Sequence, residues 1–318
     1  MAVTAFIFPG QGSQSVGMGR DLAAAFAPAR AVFEEIDETL KQKLQKLMFE
    51  GPAEDLTLTE NAQPALFAVS LAVLRVLEAE AGLVVAHKAA LVAGHSLGEY
   101  SALAAAGAFS IADAAKLLKL RGQAMQRAVA PGVGAMAALL GVEMPVAIEI
   151  CAEAEQGPEG RQIVGVANDN GGGQVVISGH KEAVERAIDI AKARGVKRAM
   201  ILPVSAPFHC ALMEPAAAEM AEALAQTPPK ATLLPIIANV TAAKASEPAQ
   251  LTELLIQQVT GTVRWRESII AMTDMGVTNF VELGAGKVLA GLVKRIAPDA
   301  TVTSCGTPAD IETLVKTL

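Results

Sequence analysis

Aromatic residues are scarce in this chain. They make up 3% of its 318 residues, with one Trp and one Tyr, although the hydrophobic total reaches 52%. An apolar fraction carried by Ala, Val, Leu and Ile suits helices packed on a mostly parallel sheet. The length allows one large domain plus a smaller one. Cysteine is nearly absent. Cys151, Cys210 and Cys305 are odd in number and lack metal-ligand spacing, so they read as free thiols of a reducing cytoplasm, with no metal or redox cofactor implied. Positive charge is in deficit as well: a net charge of −7 argues against wholesale nucleic-acid binding. No apolar run reaches the length of a membrane span. The closest, Pro64 to Leu74, is ended by Arg75, so no membrane association is expected. The first eight residues carry no basic region and run straight into a turn motif, which reads as a first strand and not a signal peptide. There is no solenoid repeat and no low-complexity tail.

What is present centres on Gly94-His-Ser-Leu-Gly98. An apolar run, Ala89 to Ala93, precedes it and reads as a short buried strand. An Ala-rich segment, Tyr100 to Ala106, follows and reads as a helix. Strand, Gly-x-Ser-x-Gly, helix is the pattern of a nucleophile elbow. Glycines without Cβ let strand and helix approach around a strained turn, and the turn lifts Ser96 clear of the backbone. The Leu97 amide, at the helix start, is left free to stabilise an oxyanion. The plainer reading is a small-residue turn in an Ala-rich protein.

Thr4 to Phe8 predicts a strand that enters the turn-rich loop Pro9-Gly-Gln-Gly-Ser-Gln14. The third glycine of a dinucleotide fingerprint is missing and no helix starts at once, so phosphate cradling is disfavoured. The loop instead offers backbone N–H groups and Gln11. Asp21 to Leu47 reads as helical, with Phe33, Ile36 and Leu40 on one face, and Gly51 to Thr57 as a break. Thr59 starts a long apolar helix to about Ala81, with Pro64 tolerated in its first turn. Gln63, at that start, is either a capping residue or part of a site.

Ser110 predicts the cap of a helix from Ile111 to about Ala128. Ala114, Leu118 and Met125 form its apolar stripe, and Arg121 falls on the same stripe. A guanidinium on a buried face needs an anionic partner. Spacing alone leans towards a structural salt bridge, with a substrate carboxylate as the other possibility.

After Pro131-Gly-Val-Gly134 the rhythm changes. Strand, helix, two strands around Asn168-Asp-Asn-Gly-Gly-Gly173, helix and strand follow in the order βαββαβ. Beyond Val204, strands and helices alternate again as far as Val302 to Ser304. The fold expected is α/β: a large α/β-hydrolase-like domain with a parallel sheet, from residues 1–131 and 204–318, and an inserted small ferredoxin-like (βαββαβ) domain at 132–203. Four histidines are available. His95 sits inside the elbow and is expected to point away from Ser96; His87 and His180 stand beside Lys and read as surface. That leaves His209, on a loop between two prolines and a helix, as the candidate general base.

Collected, these stretches resemble the malonyl-CoA:acyl carrier protein transacylases of type II fatty-acid synthesis. Phe8-Pro-Gly-Gln-Gly-Ser-Gln14, Ala62-Gln-Pro-Ala65, Gly94-His-Ser-Leu-Gly-Glu-Tyr100, Arg121-Gly122, Gln174-Val-Val-Ile-Ser-Gly179, Phe208-His-Cys-Ala-Leu-Met-Glu-Pro215 and Glu282-Leu-Gly-Ala-Gly-Lys-Val-Leu289 occur in the family's order over nearly the whole chain. The resemblance implies Ser96 as nucleophile and His209 as base. It implies an oxyanion hole from the backbone N–H groups of Gln11 and Leu97, and Arg121 as holder of the malonyl carboxylate, which reverses the preference from spacing. Gln63, Phe208, Met125 and Asn168 would line the pocket, a bulky Phe208 favouring malonyl over methylmalonyl. A backbone carbonyl just before the tryptophan, that of Arg264, would orient the histidine. Ala285 and Gly171 to Gly173 depart from residues common in the family and affect loop stiffness only.

The substrates implied are malonyl-CoA and the phosphopantetheine thiol of acyl carrier protein, without a further cofactor, in a cytoplasmic monomer. Docking an acidic carrier calls for a local basic patch; Lys116, Lys119, Arg127, the cluster Lys192 to Arg198, Lys287 and Lys294 are candidates. The rival readings are a serine hydrolase, an acyltransferase of a polyketide pathway, and a carrier-binding module without turnover.

Overall fold

The computed structural model describes residues 3–158 and 160–316. Its larger sheet has six strands in the order Lys244–Ala245, Ile236–Ile237, Leu91–Gly94, Val3–Phe8, Val277–Leu283 and Thr301–Cys305. All neighbours are parallel except the first pair. Strand Val3–Phe8 shows why helices cover both faces. Its side chains alternate with period two, so Phe6 and Phe8 enter one hydrophobic core while Ala5 and Ile7 enter another with Trp265, Ile269 and Leu289. A sheet buried on both faces in this way reads as continuous apolar runs. Register pairs Phe8 with Gly94, so the loop at Pro9 and the turn at His95 leave the sheet side by side. That is the carboxyl end of two adjacent central strands, where open α/β sheets hold ligands.

Residues between the two halves of the larger unit build a second sheet, antiparallel throughout, in the order Val164–Asp169, Gln174–His180, Gly134–Leu140, Arg198–Ile201. Helices Met144–Ala154 and Lys181–Ala193 cover one face and share a separate core with Ala137, Leu139, Val175 and Ile177. Met136, Ala167 and Val176 join the main core instead. The small ferredoxin-like sheet is thereby packed against the large domain. The hairpin tip is tied down as well: Asp169, 2% exposed, takes Arg266 Nε at 2.8 Å, and Asp169 N and Val263 N bond the carbonyls of Val263 and Ala167.

Several expectations needed correction. The stretch read as helical from Asp21 to Leu47 is so, in three separate helices, Arg20–Ala25, Ala27–Leu40 and Leu44–Glu50. Pro28 opens the second, as a first-turn proline does, and Lys41, with φ of 51°, ends it. The break at 51–57 contains a short helix, Ala53–Thr57. Pro64 lies inside helix Thr59–Ala81, beyond its first turn, so one backbone bond is forgone there. That 23-residue helix is also long and apolar enough to cross a membrane, with mean hydropathy 1.4 over an 18-residue window. However, 83% of the window is buried within the protein, against helices Ala27–Leu40 and Ile111–Arg127. The C-terminal helix Pro308–Val315 was not anticipated, although Thr307 and Asp310 announce it as a reciprocal capping box. His180 is half-buried, its Nδ1 accepting from Ile163 N.

Candidate active site

The turn after strand Leu91–Gly94 is as tight as its glycines allow. A Cβ on Gly94 would lie 1.9 Å from Gly98 O, and one on Gly98 would lie 2.3 Å from Phe8 O. No other residue fits either position. Ser96 takes the strain, with φ of +52°, a region that non-glycine residues seldom occupy. Ser96 N donates to Asn239 Oδ1 at 2.7 Å, and Asn239 Nδ2 donates to Gly94 O at 2.7 Å, so one amide staples both sides of the turn. Helix Gly98–Ala105 begins at once, its N-terminal dipole directed at the serine.

His209 is 5% exposed and also has a left-handed backbone, φ +58°. Its Nε2 stands 2.8 Å from Ser96 Oγ, and its Nδ1 stands 2.9 Å from Gln258 O. A carbonyl only accepts, so Nδ1 carries the proton and the Nε2 lone pair faces the serine hydroxyl. Burial, then the Arg121 charge, push His209 down to about 3, which keeps the ring neutral. His95 turns away from Ser96, with Nε2 2.9 Å from Asn170 Oδ1.

Arg121 is 1% exposed, and the structural salt bridge is not there. Among the described residues it makes no ion pair. Nη1 donates to Gln63 Oε1 and Nη2 to Gln258 Oε1, each at 2.8 Å, and Nη2 also reaches Ser96 Oγ at 3.2 Å. Gln63 is therefore no helix cap. It passes the contact on through Nε2 to Thr59 Oγ1 at 2.9 Å, and that hydroxyl donates to Gln11 Oε1 at 3.0 Å. The Gln11 side chain is thus engaged, and what the Gln11 loop offers the site is its main chain. Neither Gln11 N nor Leu97 N donates a hydrogen bond among the described residues.

These groups share one cavity of about 400 Å³. Gln11, Gln63, Ser96, Leu97, Arg121, Met125, Asn168, Phe208 and His209 all line it, joined by Met136 from the small sheet and by Leu202 to Val204. Arg264 does not, and the expectation placed on it is wrong. As N-cap of helix Trp265–Asp274 its carbonyl is the first acceptor of that helix, taken by Ser268 N and Ser268 Oγ, each at 2.9 Å. Gln258 lies near the C-terminus of helix Pro248–Thr260 instead, where the last four carbonyls have no helical partner. Its carbonyl is free for His209, with the negative end of the helix dipole behind it.

Gln258, Asn239 and Glu99 are the site members that sequence reasoning missed. Gln258 is fully buried, and its Nε2 donates to Ser96 O and to Glu99 Oε2, both at 3.1 Å. Glu99, 1% exposed, also receives Asn239 N at 2.8 Å; burial above all raises its carboxyl to about 7. The only signal was weak: a Gln on the apolar stripe Leu251, Leu254, Leu255, Val259 of its helix.

An acyl transferase domain family model matches residues 5–308. A malonyl CoA-acyl carrier protein transacylase of Bacillus subtilis (strain 168) is 46% identical, covering 100% of this chain and 98% of that protein. The crystal structure of an acyl-carrier-protein-S-malonyltransferase from Bartonella henselae is 53% identical with a TM-score of 0.95, over 99% of each chain. A malonyl-transacylase solved in complex with a type II PKS acyl-carrier protein is 41% identical with a TM-score of 0.94, over 100% of each chain. With Ser96 on a strained elbow, paired with the buried His209, and this likeness end to end, the chain belongs to the acyl transferase family, among the malonyl-CoA–acyl carrier protein transacylases.

Proposed function

We propose that the protein moves the malonyl group from malonyl-CoA to the phosphopantetheine thiol of acyl carrier protein through a malonyl ester on Ser96, making it an [acyl-carrier-protein] S-malonyltransferase. The observation that carries this reading is Ser96 Oγ, held between His209 Nε2 at 2.8 Å and the buried guanidinium of Arg121 at 3.2 Å. A serine hydrolase would share the first contact but has no use for the second.

Malonyl-CoA binds with its free carboxylate on Arg121. His209 Nε2 takes the Ser96 proton while Oγ attacks the thioester carbon, and the oxyanion is stabilised by the N–H groups of Gln11 and Leu97. The C–S bond breaks, and His209 returns the proton to the CoA sulfur. In the second half-reaction the pantetheine thiol gives its proton to His209 and attacks the ester carbon. Ser96 Oγ leaves and is reprotonated, so the kinetics are ping-pong. A thioester is already activated, which is why a carbonyl, in place of a carboxylate, suffices behind the histidine. Met136, Leu202, Val204 and Phe208 line the cavity with apolar surface that disfavours water, as transfer in place of hydrolysis requires.

The same reading needs no metal or organic cofactor, since Ser96, His209, Arg121 and two amides supply the chemistry. We read the protein as a monomer and as cytoplasmic, the latter supported by three buried free thiols. For carrier docking, Lys119, Arg127 and Arg194 are already paired with Glu60, Glu219 and the pair Glu149 and Glu153. Lys287 and Lys294 line a cavity with Ser304 and suit an acidic carrier better. The likeness to the transacylase bound to a type II PKS carrier supports a second assignment of pathway with identical chemistry; competition between the two kinds of carrier decides it. The test of the reaction is intact-mass analysis after mixing with malonyl-CoA. One malonyl adduct, lost in Ser96→Ala and discharged by holo carrier, is expected. No adduct on the wild-type protein overturns it.

A further inference from the structure

Buried guanidinium groups normally sit against carboxylates, because a charge out of water without a counterion is costly. Arg121 has amide oxygens in that place, and amides carry no charge. The closest carboxyl in the network is Glu99, on the other side of Gln258, whose Nε2 it accepts at 3.1 Å. Of the Arg121 hydrogen-bond partners among the described residues, the one that is not an amide is the nucleophile, Ser96 Oγ; the centroid of the Tyr100 ring lies 5.9 Å from the guanidinium carbon. An N–H donated to that oxygen ties up one of its two lone pairs and draws electron density from the attacking atom. The guanidinium charge beside His209, with no carboxylate in direct contact, also opposes the imidazolium that proton transfer creates.

We propose that Arg121 restrains Ser96 in the free enzyme and that the carboxylate of the incoming acyl group releases it, so that the substrate's own charge switches on the nucleophile. This rests on the malonyl reading and adds to it. A carboxylate on Arg121 draws Nη2 away from Ser96 Oγ and supplies the directly contacting counterion that the amides do not. Oγ is then left with His209 alone, and His209 gains basicity as the positive field beside it is compensated. Selectivity for a dicarboxylic acyl group thereby acts on the rate of Ser96 acylation as well as on binding. A neutral acetyl thioester enters the same cavity and finds the hydroxyl still held. The other charged or titratable neighbours are Glu99 and Tyr100 towards Arg121, and His95 towards His209; a fixed pH keeps their states constant across the comparison.

The experiment follows single-turnover acetylation of Ser96 by acetyl-CoA, read by intact mass, with and without formate, at one pH and constant ionic strength. Formate supplies the missing carboxylate and formamide is its neutral control. Formate is expected to accelerate acetylation saturably, by about threefold or more, and formamide to leave it unchanged. Arg121→Ala is expected to acetylate faster than wild type and to be insensitive to formate. Formate that slows acetylation or leaves it unchanged in the wild-type protein overturns the proposal, whatever the variant does. If malonyl-CoA itself leaves no adduct on Ser96, the parent reading falls. A malonyl adduct together with formate-insensitive acetylation defeats this inference alone.

Discussion

The main-chain carbonyl of Gln258 receives Nδ1–H of His209 at 2.9 Å, while the side chain of the same residue holds Arg121 and the Ser96 carbonyl. One position near the end of a helix therefore aligns base, nucleophile and carboxylate grip. The two functions of Gln258 separate cleanly, because substitution removes the amide and leaves the carbonyl.

Gln258→Ala is expected to keep His209 oriented but to loosen Arg121 and the elbow. Loss of positioning on the scale of an ångström costs about 10²-fold in rate. The expected result is a fall of that order in kcat/KM for malonyl-CoA, with KM raised and the acid limb of the pH profile unmoved. Steady-state kinetics across pH provide the check.

The neutral state of His209 predicts a broad acid tolerance of the chemical step. Its pKa is depressed from the usual 6.5 to about 3, so protonation of the base should not slow Ser96 acylation between about pH 8 and about pH 5. Stability behaves differently. Below 6.5 the unfolded chain binds a proton that the folded one refuses, so the His209 contribution is intact above 6.5 and is lost as pH falls towards 3. Rapid-quench acylation and unfolding midpoints, measured side by side, should diverge in that window.

Glu99 carries the opposite sign. Its carboxyl is raised from 4.5 to about 7, chiefly by burial, so its stabilising contribution is full below 4.5 and fades as pH rises through 7. Glu99→Gln removes that dependence. The stability difference between variant and wild type should shift in favour of the variant as pH rises across this interval, as followed by thermal unfolding. A constant difference would rule out titration of Glu99 there.

Phe208 is 8% exposed and lines the cavity beside His209. Phe208→Ala is expected to raise the ratio of methylmalonyl to malonyl transfer by about tenfold or more, the scale of one methyl group in a hydrophobic pocket. Competition between the two CoA esters, read as adduct masses on Ser96, measures it.

Much of this was legible in the residues themselves. Period-two and helical apolar spacing announced the alternating layers, the order βαββαβ announced the second sheet, and Gly-x-Ser-x-Gly announced the strained turn. Those signals are local: they concern which backbone shapes and which faces a segment can adopt. What lay beyond them is contact across long separations. Whether Arg121 met an acid or an amide depended on helices that cross the chain from 63 and 258. Which carbonyl faced His209 turned on where one helix stops and the next begins, since a carbonyl inside a helix is already committed and one at its C-terminal end is not. Chain order records the chemistry a residue can perform, and only packing decides which partners it performs it with.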